Sequence, residues 1–455
     1  SRRELDRNFF ASGKAPIVVA RLLGQPDGFV LRAGELPNLG DALTGSLTVD
    51  GKTHTFGVAN PGQLLAYAIA NRNSSFETFG INYSGSCQRD GGVVTGTCSA
   101  ASAVLNIVGI EVRAESAANN PDVSFTAPDL GLSFTSSGAD SRANALGDFL
   151  EFADENADRG KITAAYARYL AQNTPNNPLV GNPFSAQGQL TRGSLDLDSP
   201  SEALDETSGK DGGRGREPDT SGWMVGGRAG HLSAGGADAQ FVDGLFERGF
   251  RLREGSRMRL KVSIPVSYID YGSNRGGEGG RTATLGLRTT VEVPLIDGRW
   301  VVEPTASAAA FYSDNEVSSG ALYLVGVSSR YKLAPVGRGH LILGNAITYS
   351  SSLKIEAGDF ETPKIQNTAL RNGIAYQVPF GRVLGRQGTV RASYTYTHLL
   401  GDDLFVDKYH EVSLSYGVGS REASVRQIGE TLRLGLSGAF GHDFTAVSLT
   451  AGYRF

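Results

Sequence analysis

The feature that most constrains this chain is a period-two alternation that sets in near Trp223 and runs to the last residue. From Asp443 to Phe455 it places Val447, Leu449, Ala451, Tyr453 and Phe455 on one face, and Ser448, Thr450, Gly452 and Arg454 on the other. Successive side chains of a strand point to opposite faces, so this segment is a strand with one apolar and one polar side. The phasing recurs upstream. Leu432, Leu434 and Leu436 oppose Arg433, Gly435 and Ser437; Val412 and Leu414 oppose Glu411 and Ser413; Leu285 and Leu287 oppose Gly286 and Arg288. A soluble β-sandwich would cover its outer face with Lys and Glu. Here the polar face is mostly Ser, Thr and Gly with a few Arg, which suits a confined interior better than bulk water.

That reading gives a mainly β chain ending in an antiparallel transmembrane β-barrel. Twelve alternating segments start near residues 222, 238, 256, 280, 299, 318, 339, 365, 387, 405, 427 and 443. An even count brings both barrel ends to the periplasm. The connectors then sort by charge: those assigned to the periplasm, such as FGRVLGRQG and GSREASVRQ, are arginine-rich, while those assigned outside, such as SDNEVSS and GDDLFVD, are acidic or neutral. No stretch approaches the roughly 18 apolar residues of a membrane helix. A barrel strand needs only about 10, half of them polar, and the 60 glycines and 20% charged residues agree with a strand-rich chain.

Three regions are expected: a β-rich domain at 1–140, a helical segment and flexible linker at 141–221 that could plug the lumen, and the barrel at 222–455. Within the first, GQLLAYAIANR reads as a possible helix. Leu146, Phe149, Leu150 and Phe152, then Ile162, Ala165, Tyr166 and Tyr169, recur at helical spacing and predict two short amphipathic helices. The linker ends in SGKDGGRGREPDTSG, flexible by composition. Cys87 and Cys98 flank a Gly-rich turn and are read as a disulfide formed in an oxidising compartment, with a metal pair as the competing reading. The polar start SRRELDRNFF shows no signal peptide, so the chain reads as mature or trimmed. A net charge of −4 without a basic stripe argues against nucleic acid.

The closing LTAGYRF resembles the terminal strand of outer-membrane barrels, and the layout of N-terminal region, helical linker and twelve-stranded barrel resembles an autotransporter. The resemblance implies that Tyr453 and Phe455 signal to the barrel assembly machinery. It also implies a barrel that anchors, and can translocate, the N-terminal domain. Outer-membrane lipids are the expected environment. Residues 1–140 would lie outside the cell or in the periplasm, binding a protein partner or self-associating.

For chemistry, the phasing turns Arg259, Lys261, Arg288, Arg391, Arg433 and Arg454 toward the lumen, with Glu292 and Glu411. These charges either bias a pore toward anions, the channel alternative, or form ion pairs with the acidic linker residues Asp196, Asp198, Glu202, Asp205 and Glu206. His231 and Ser233 have a spacing that resembles outer-membrane phospholipases, and barrel closure would bring His442 and Asp443 alongside. The Asn that follows the Ser in those enzymes is missing, so a surface hydrolase is the weakest reading. His398 with Asp402 and Asp403 resembles the outer-membrane proteases only in spacing. No cofactor motif is present, and the six histidines form no metal constellation.

Overall fold

The computed structural model describes residues 43–49, 52–58, 87–107, 109–138, 142–175, 177–198, 222–235, 237–252, 258–272, 280–296, 299–313, 318–357, 360–383, 386–419 and 430–454. The possible helix in GQLLAYAIANR, the linker residues Glu202, Asp205 and Glu206, and Phe455 lie outside them. The chain divides into two compact units, one of residues 1–173 with 355–363 and one of residues 174–354 with 364–455.

The first unit contains strands β1 (Leu43–Val49), β2 (Lys52–Val58), β3 (Gln88–Asp90), β4 (Val93–Thr95), β5 (Ala101–Ile107), β6 (Ile110–Ser116), β7 (Ser124–Ala127) and β8 (Leu132–Thr135). Six of them form one sheet in the order β2-β1-β5-β6-β7-β8. Helices α1 (Arg142–Asn156) and α2 (Arg159–Asn173) supply its apolar cover. Phe149 of α1 stacks on Phe125 at 4.5 Å, and Ile162 and Leu170 of α2 bury with Ile110. The two helices read from periodicity are therefore core helices of this unit. Cys87 and Cys98 are bonded, closing the β3–β4 hairpin, which Arg89 ties to Asp122 through contacts of 2.7 and 3.1 Å.

In the second unit, strands β9 (Trp223–Ala234), β10 (Ala237–Arg251), β11 (Arg259–Tyr271), β12 (Gly280–Ile296), β13 (Trp300–Ser313), β14 (Ser318–Val336) and β15 (Gly339–Leu353) continue, after the two-residue strands β16 (Glu356–Ala357) and β17 (Phe360–Glu361), into β18 (Gln366–Val383), β19 (Arg386–Gly401), β20 (Lys408–Gly419), β21 (Glu430–Gly441) and β22 (Phe444–Arg454). Twelve of these, all but β16 and β17, form a closed antiparallel barrel. The last strand joins the first from Phe444↔Ala234 to Arg454↔Met224, so no strand edge is left. The alternating segments of the sequence coincide with these strands. Their starts differ by at most three residues, at β11, β20 and β21.

Burial is inverted relative to a soluble protein. Leu285, Leu414, Leu434 and Leu449 are 59%, 57%, 54% and 69% exposed, while inward Thr282, Ser328, Thr348 and Thr397 are buried. At about 25 cal/mol per Å² of apolar surface, such a belt is tolerable only against lipid. Among the described residues no helix is long and apolar enough to cross a membrane; the strands do so.

Candidate functional site

The lumen is filled by part of the 141–221 stretch, expected as a flexible linker that could plug it. Residues 174, 175 and 177–198 belong to the second unit and carry helix α3 (Ala186–Ser194). Its start is encoded locally. Asn182 Oδ1 accepts from the backbone N–H groups of Phe184 and Ser185, both at 2.9 Å, and the Ser185 hydroxyl caps the helix by accepting from Gly188 N at 3.0 Å. Gly188 is required there, because a Cβ would lie 1.7 Å from the Asn182 carbonyl oxygen. The helix has little apolar surface, yet Gln187, Gly188, Gln189 and Thr191 are all buried. A polar lumen makes this possible by supplying partners to Gln187 and Gln189, while Thr191 Oγ1 is left without one among the described residues.

The segment makes three layers of contact. Near the β9–β10 turn, Tyr271 donates to the Pro175 carbonyl at 3.1 Å, and Phe184 packs on Phe241 with ring centroids 4.0 Å apart. Leu232, Ile269, Val406, Tyr409 and Phe444 complete this dry layer. Gly181 passes so close to the loop after β19 that a Cβ would sit 1.8 Å from the Val406 carbonyl oxygen. Below, Gln187 donates to Asn367 at 3.0 Å, Gln189 donates to Asp243 at 3.0 Å, and Arg192 pairs with Glu411 at 2.6 Å. Lower still, Leu195 and Leu197 bury against Val301, Ile342, Ala346 and Ala375. Asp198 there accepts hydrogen bonds from Ser393 and Ser413, and Arg391 donates to the carbonyls of Leu197 and Asp198.

The barrel wall carries its own ion pairs. Lys261 reaches Glu292 at 2.5 Å, Arg330 binds Glu303 at 2.6 Å and lies 3.5 Å from Glu292, and Arg371 binds Glu411 at 2.8 Å. Arg228 pairs with Asp243 while lying over the Phe184 ring at 4.6 Å. Arg288 makes no ion pair among the described residues. It donates to the Gln189 carbonyl at 3.3 Å, its Nε has no hydrogen-bond partner, and it packs so tightly on Gly193 that a Cβ would meet its Nη2 at 1.8 Å. Arg192, Lys261, Arg288 and Arg433 border a cavity of about 260 Å³, whose other lining includes Met224, Tyr453 and Arg454 at the rim where the barrel begins and ends.

Of the residues singled out by sequence, Arg259, Arg288, Glu292, Arg391, Glu411 and Arg433 are buried in the wall, Lys261 is nearly so, and Arg454 is half-buried at the rim. Lys261 pairs with Glu292 and Glu303, Glu411 pairs with Arg192 and Arg371, and Asp198 accepts from Ser393 and Ser413. Sequence reasoning missed Arg192, Arg228, Asp243, Glu303, Arg330 and Arg371. The wall residues among these sit at inward positions of their strands, so extending the period-two phasing through β9, β10, β13, β14 and β18 would have found them. Arg192 had no such signal.

Barrel closure sets Asp443 beside Ser233, both bordering one pocket, but among the described residues no hydrogen bond or ion pair joins His231 or His442 to Ser233. His231 is exposed on the barrel exterior and its polar neighbour is Asp238, 3.7 Å away. Ser233 lies opposite Thr445 in the closing register. His442 and Asp443 form the β21–β22 turn, 3.4 Å apart, 89% and 67% exposed by side chain, with Asp443 at a φ of 49° that the turn imposes. Among the described residues no group of His, Cys, Asp and Glu could hold a metal.

Apolar wall outside, ionic wall inside and a helix-bearing segment in the lumen define an outer-membrane β-barrel with an occupied lumen. No family model matches the chain, and no curated protein matches it in sequence. Among solved structures it is similar to the β domain of the Bordetella autotransporter BrkA, at 12% identity and a TM-score of 0.39, covering 52% of this chain and 99% of that one. It is similar also to the translocator domain of the autotransporter NalP from Neisseria meningitidis, at 10% identity and 0.40 over 52% and 89%. An outer-membrane channel from Pseudomonas putida F1 matches at 9% and 0.34 over 54% and 99%.

Proposed function

We propose that the barrel is an anchor of autotransporter type that holds the preceding chain on the outer side of the membrane. The observation that carries this reading is the direction of residues 174–198. Pro175 lies by Tyr271 and Gly235 at the β9–β10 turn, the mouth opposite the barrel ends, and Asp198 lies among mid-strand serines below it. With both barrel ends in the periplasm, a chain running outward from residue 198 to residue 174 delivers residues 1–173 to the cell exterior. The dry layer around Phe184 and Phe241 argues against a standing pore, because an ion crossing it would lose its hydration without replacement. Assembly through the aromatic end, Tyr453 and Phe455, and lipid as the surrounding partner belong to the same proposal.

Protease shaving of intact cells tests it. Cleavage within 1–173, with the barrel surviving as a fragment, is the expected result. Protection of 1–173 in intact cells together with cleavage after outer-membrane permeabilisation would overturn it. Steady conductance of the intact protein in planar bilayers would instead favour a passive channel.

A further inference from the structure

The lipid-facing wall near the inner rim carries a cation, Arg248, that the ionic lumen does not explain. Arg248 of β10 lies directly across from Trp223 of β9 in the strand register. Its guanidinium carbon sits 4.8 Å from the centre of the Trp223 ring and 5.0 Å from that of Phe250. Phe246, Arg248 and Phe250 share the outward phase of β10, with Phe246 and Phe250 50% and 38% exposed. The adjacent Glu247 has the opposite phase, lines the lumen cavity and accepts from Ser263 at 2.8 Å. No carboxylate among the described residues pairs with Arg248. The position is three residues before the end of β10 at Arg251, so it lies about 10 Å along the strand from the rim at roughly 3.3 Å per residue, within reach of the headgroup region for a long arginine side chain.

We propose that Arg248, clamped between Trp223 and Phe250, binds the phosphodiester of an anionic phospholipid in the periplasmic leaflet. A cation on a lipid-exposed wall needs a counter-charge, and its protein neighbours supply two ring faces instead of one. The rings hold the guanidinium plane while leaving N–H groups at its edge free to fork onto phosphate oxygens. A free phosphate ion would find no reason to stay among the exposed side chains of Phe246, Phe250 and Ile264, whereas acyl chains would lie against them. The chain as a whole carries −4, so general attraction would not favour an anionic lipid; a preference must be local.

Trp223 reports on the site directly, since the chain has only two tryptophans and Trp300 is on β13. The full chain with Trp300→Phe is reconstituted in phosphatidylcholine vesicles containing brominated phosphatidylglycerol or brominated phosphatidylethanolamine, and quenching of Trp223 gives the relative affinity of the adjacent lipid. Only protein with folded-barrel gel mobility is measured. A single interfacial Arg predicts roughly fivefold preference for phosphatidylglycerol over phosphatidylcholine. Arg248→Gln should bring the ratio near one and Arg248→Lys should leave an intermediate value, while Trp300, read in Trp223→Phe protein, should show no preference. Equal quenching by the two brominated headgroups, a preference surviving Arg248→Gln, or the same preference at Trp300 would each overturn the assignment. Surface display of residues 1–173 does not enter this measurement, so its outcome is independent of the proposed function.

Discussion

Arg192→Gln isolates the grip of the lumen segment on the wall. Arg192 Nε lies 2.6 Å from Glu411 Oε1, with side-chain exposures of 20% and 11%, and Glu411 Oε2 is held 2.8 Å from Arg371. Removing one partner of a buried ion pair costs roughly 3–5 kcal/mol when the other is stranded. Here Glu411 keeps Arg371, so the loss falls to about 2–3 kcal/mol. At 1.4 kcal/mol per factor of ten, displacement of α3 from the lumen becomes roughly 30- to 150-fold more frequent. Glu411→Gln should do more, because it strips both Arg192 and Arg371, the latter 2% exposed by side chain. The double variant should fall short of the sum of the two single effects, since each partner is missing already. Planar-bilayer recording provides the assay: a closed parent, rare openings for Arg192→Gln, and more frequent openings for Glu411→Gln. Openings at the parental rate in both single variants, or strict additivity in the double, would refute the view that this ion pair holds the segment in place.

Phe184→Ala removes the ring at the centre of the dry outer layer, 2% exposed, and should cost about 3–5 kcal/mol, seen as loss of folded gel mobility at lower temperature and as added conductance. Gly188→Ala forces a Cβ onto the Asn182 carbonyl at 1.7 Å and should loosen α3, whereas Gly452→Ala meets nothing within 4 Å and should be silent in the same assays. Opening the Cys87–Cys98 bond, which spans a sequence separation of 11, removes about 2–3 kcal/mol of loop constraint; limited proteolysis should then cut near residues 88–95 faster, with barrel mobility unchanged. Deletion of Phe455 should reduce the folded barrel recovered from outer membranes, and normal recovery would remove the terminal-signal reading.

The barrel was legible because its strands obey two demands at once, lipid on one face and polar lumen on the other. Leu434 beside Arg433 and Leu449 beside Ser448 state the period without help from tertiary context, and the strand count followed. Cys87 and Cys98 were legible for a simpler reason, a short Gly-rich span with no other ligand beside it. His231 and Ser233 stood out because strand spacing alone puts two side chains on one face, here the outer one, and among the described residues no hydrogen bond joins them.

The lumen segment was half legible: a plug was expected within 141–221, but its ordered helix Ala186–Ser194 was not. Sequence reading treats polar, Gly- and Asn-rich stretches as solvated linkers, because burying such groups without partners costs several kcal/mol. Inside this barrel the partners are already present. Gln187 finds Asn367, Gln189 finds Asp243, Arg192 finds Glu411, and the carbonyls of Leu195, Leu197 and Asp198 take Arg371 and Arg391. What reads as a linker by composition is therefore complementary to a wall of inward charge. Among its apolar residues, Phe184 and the Leu195–Leu197 pair mark two places where the lumen turns hydrophobic. In a plugged barrel, the inward residues of the strands and the polar residues of the plug have to be read as one interface, since neither half shows its purpose alone.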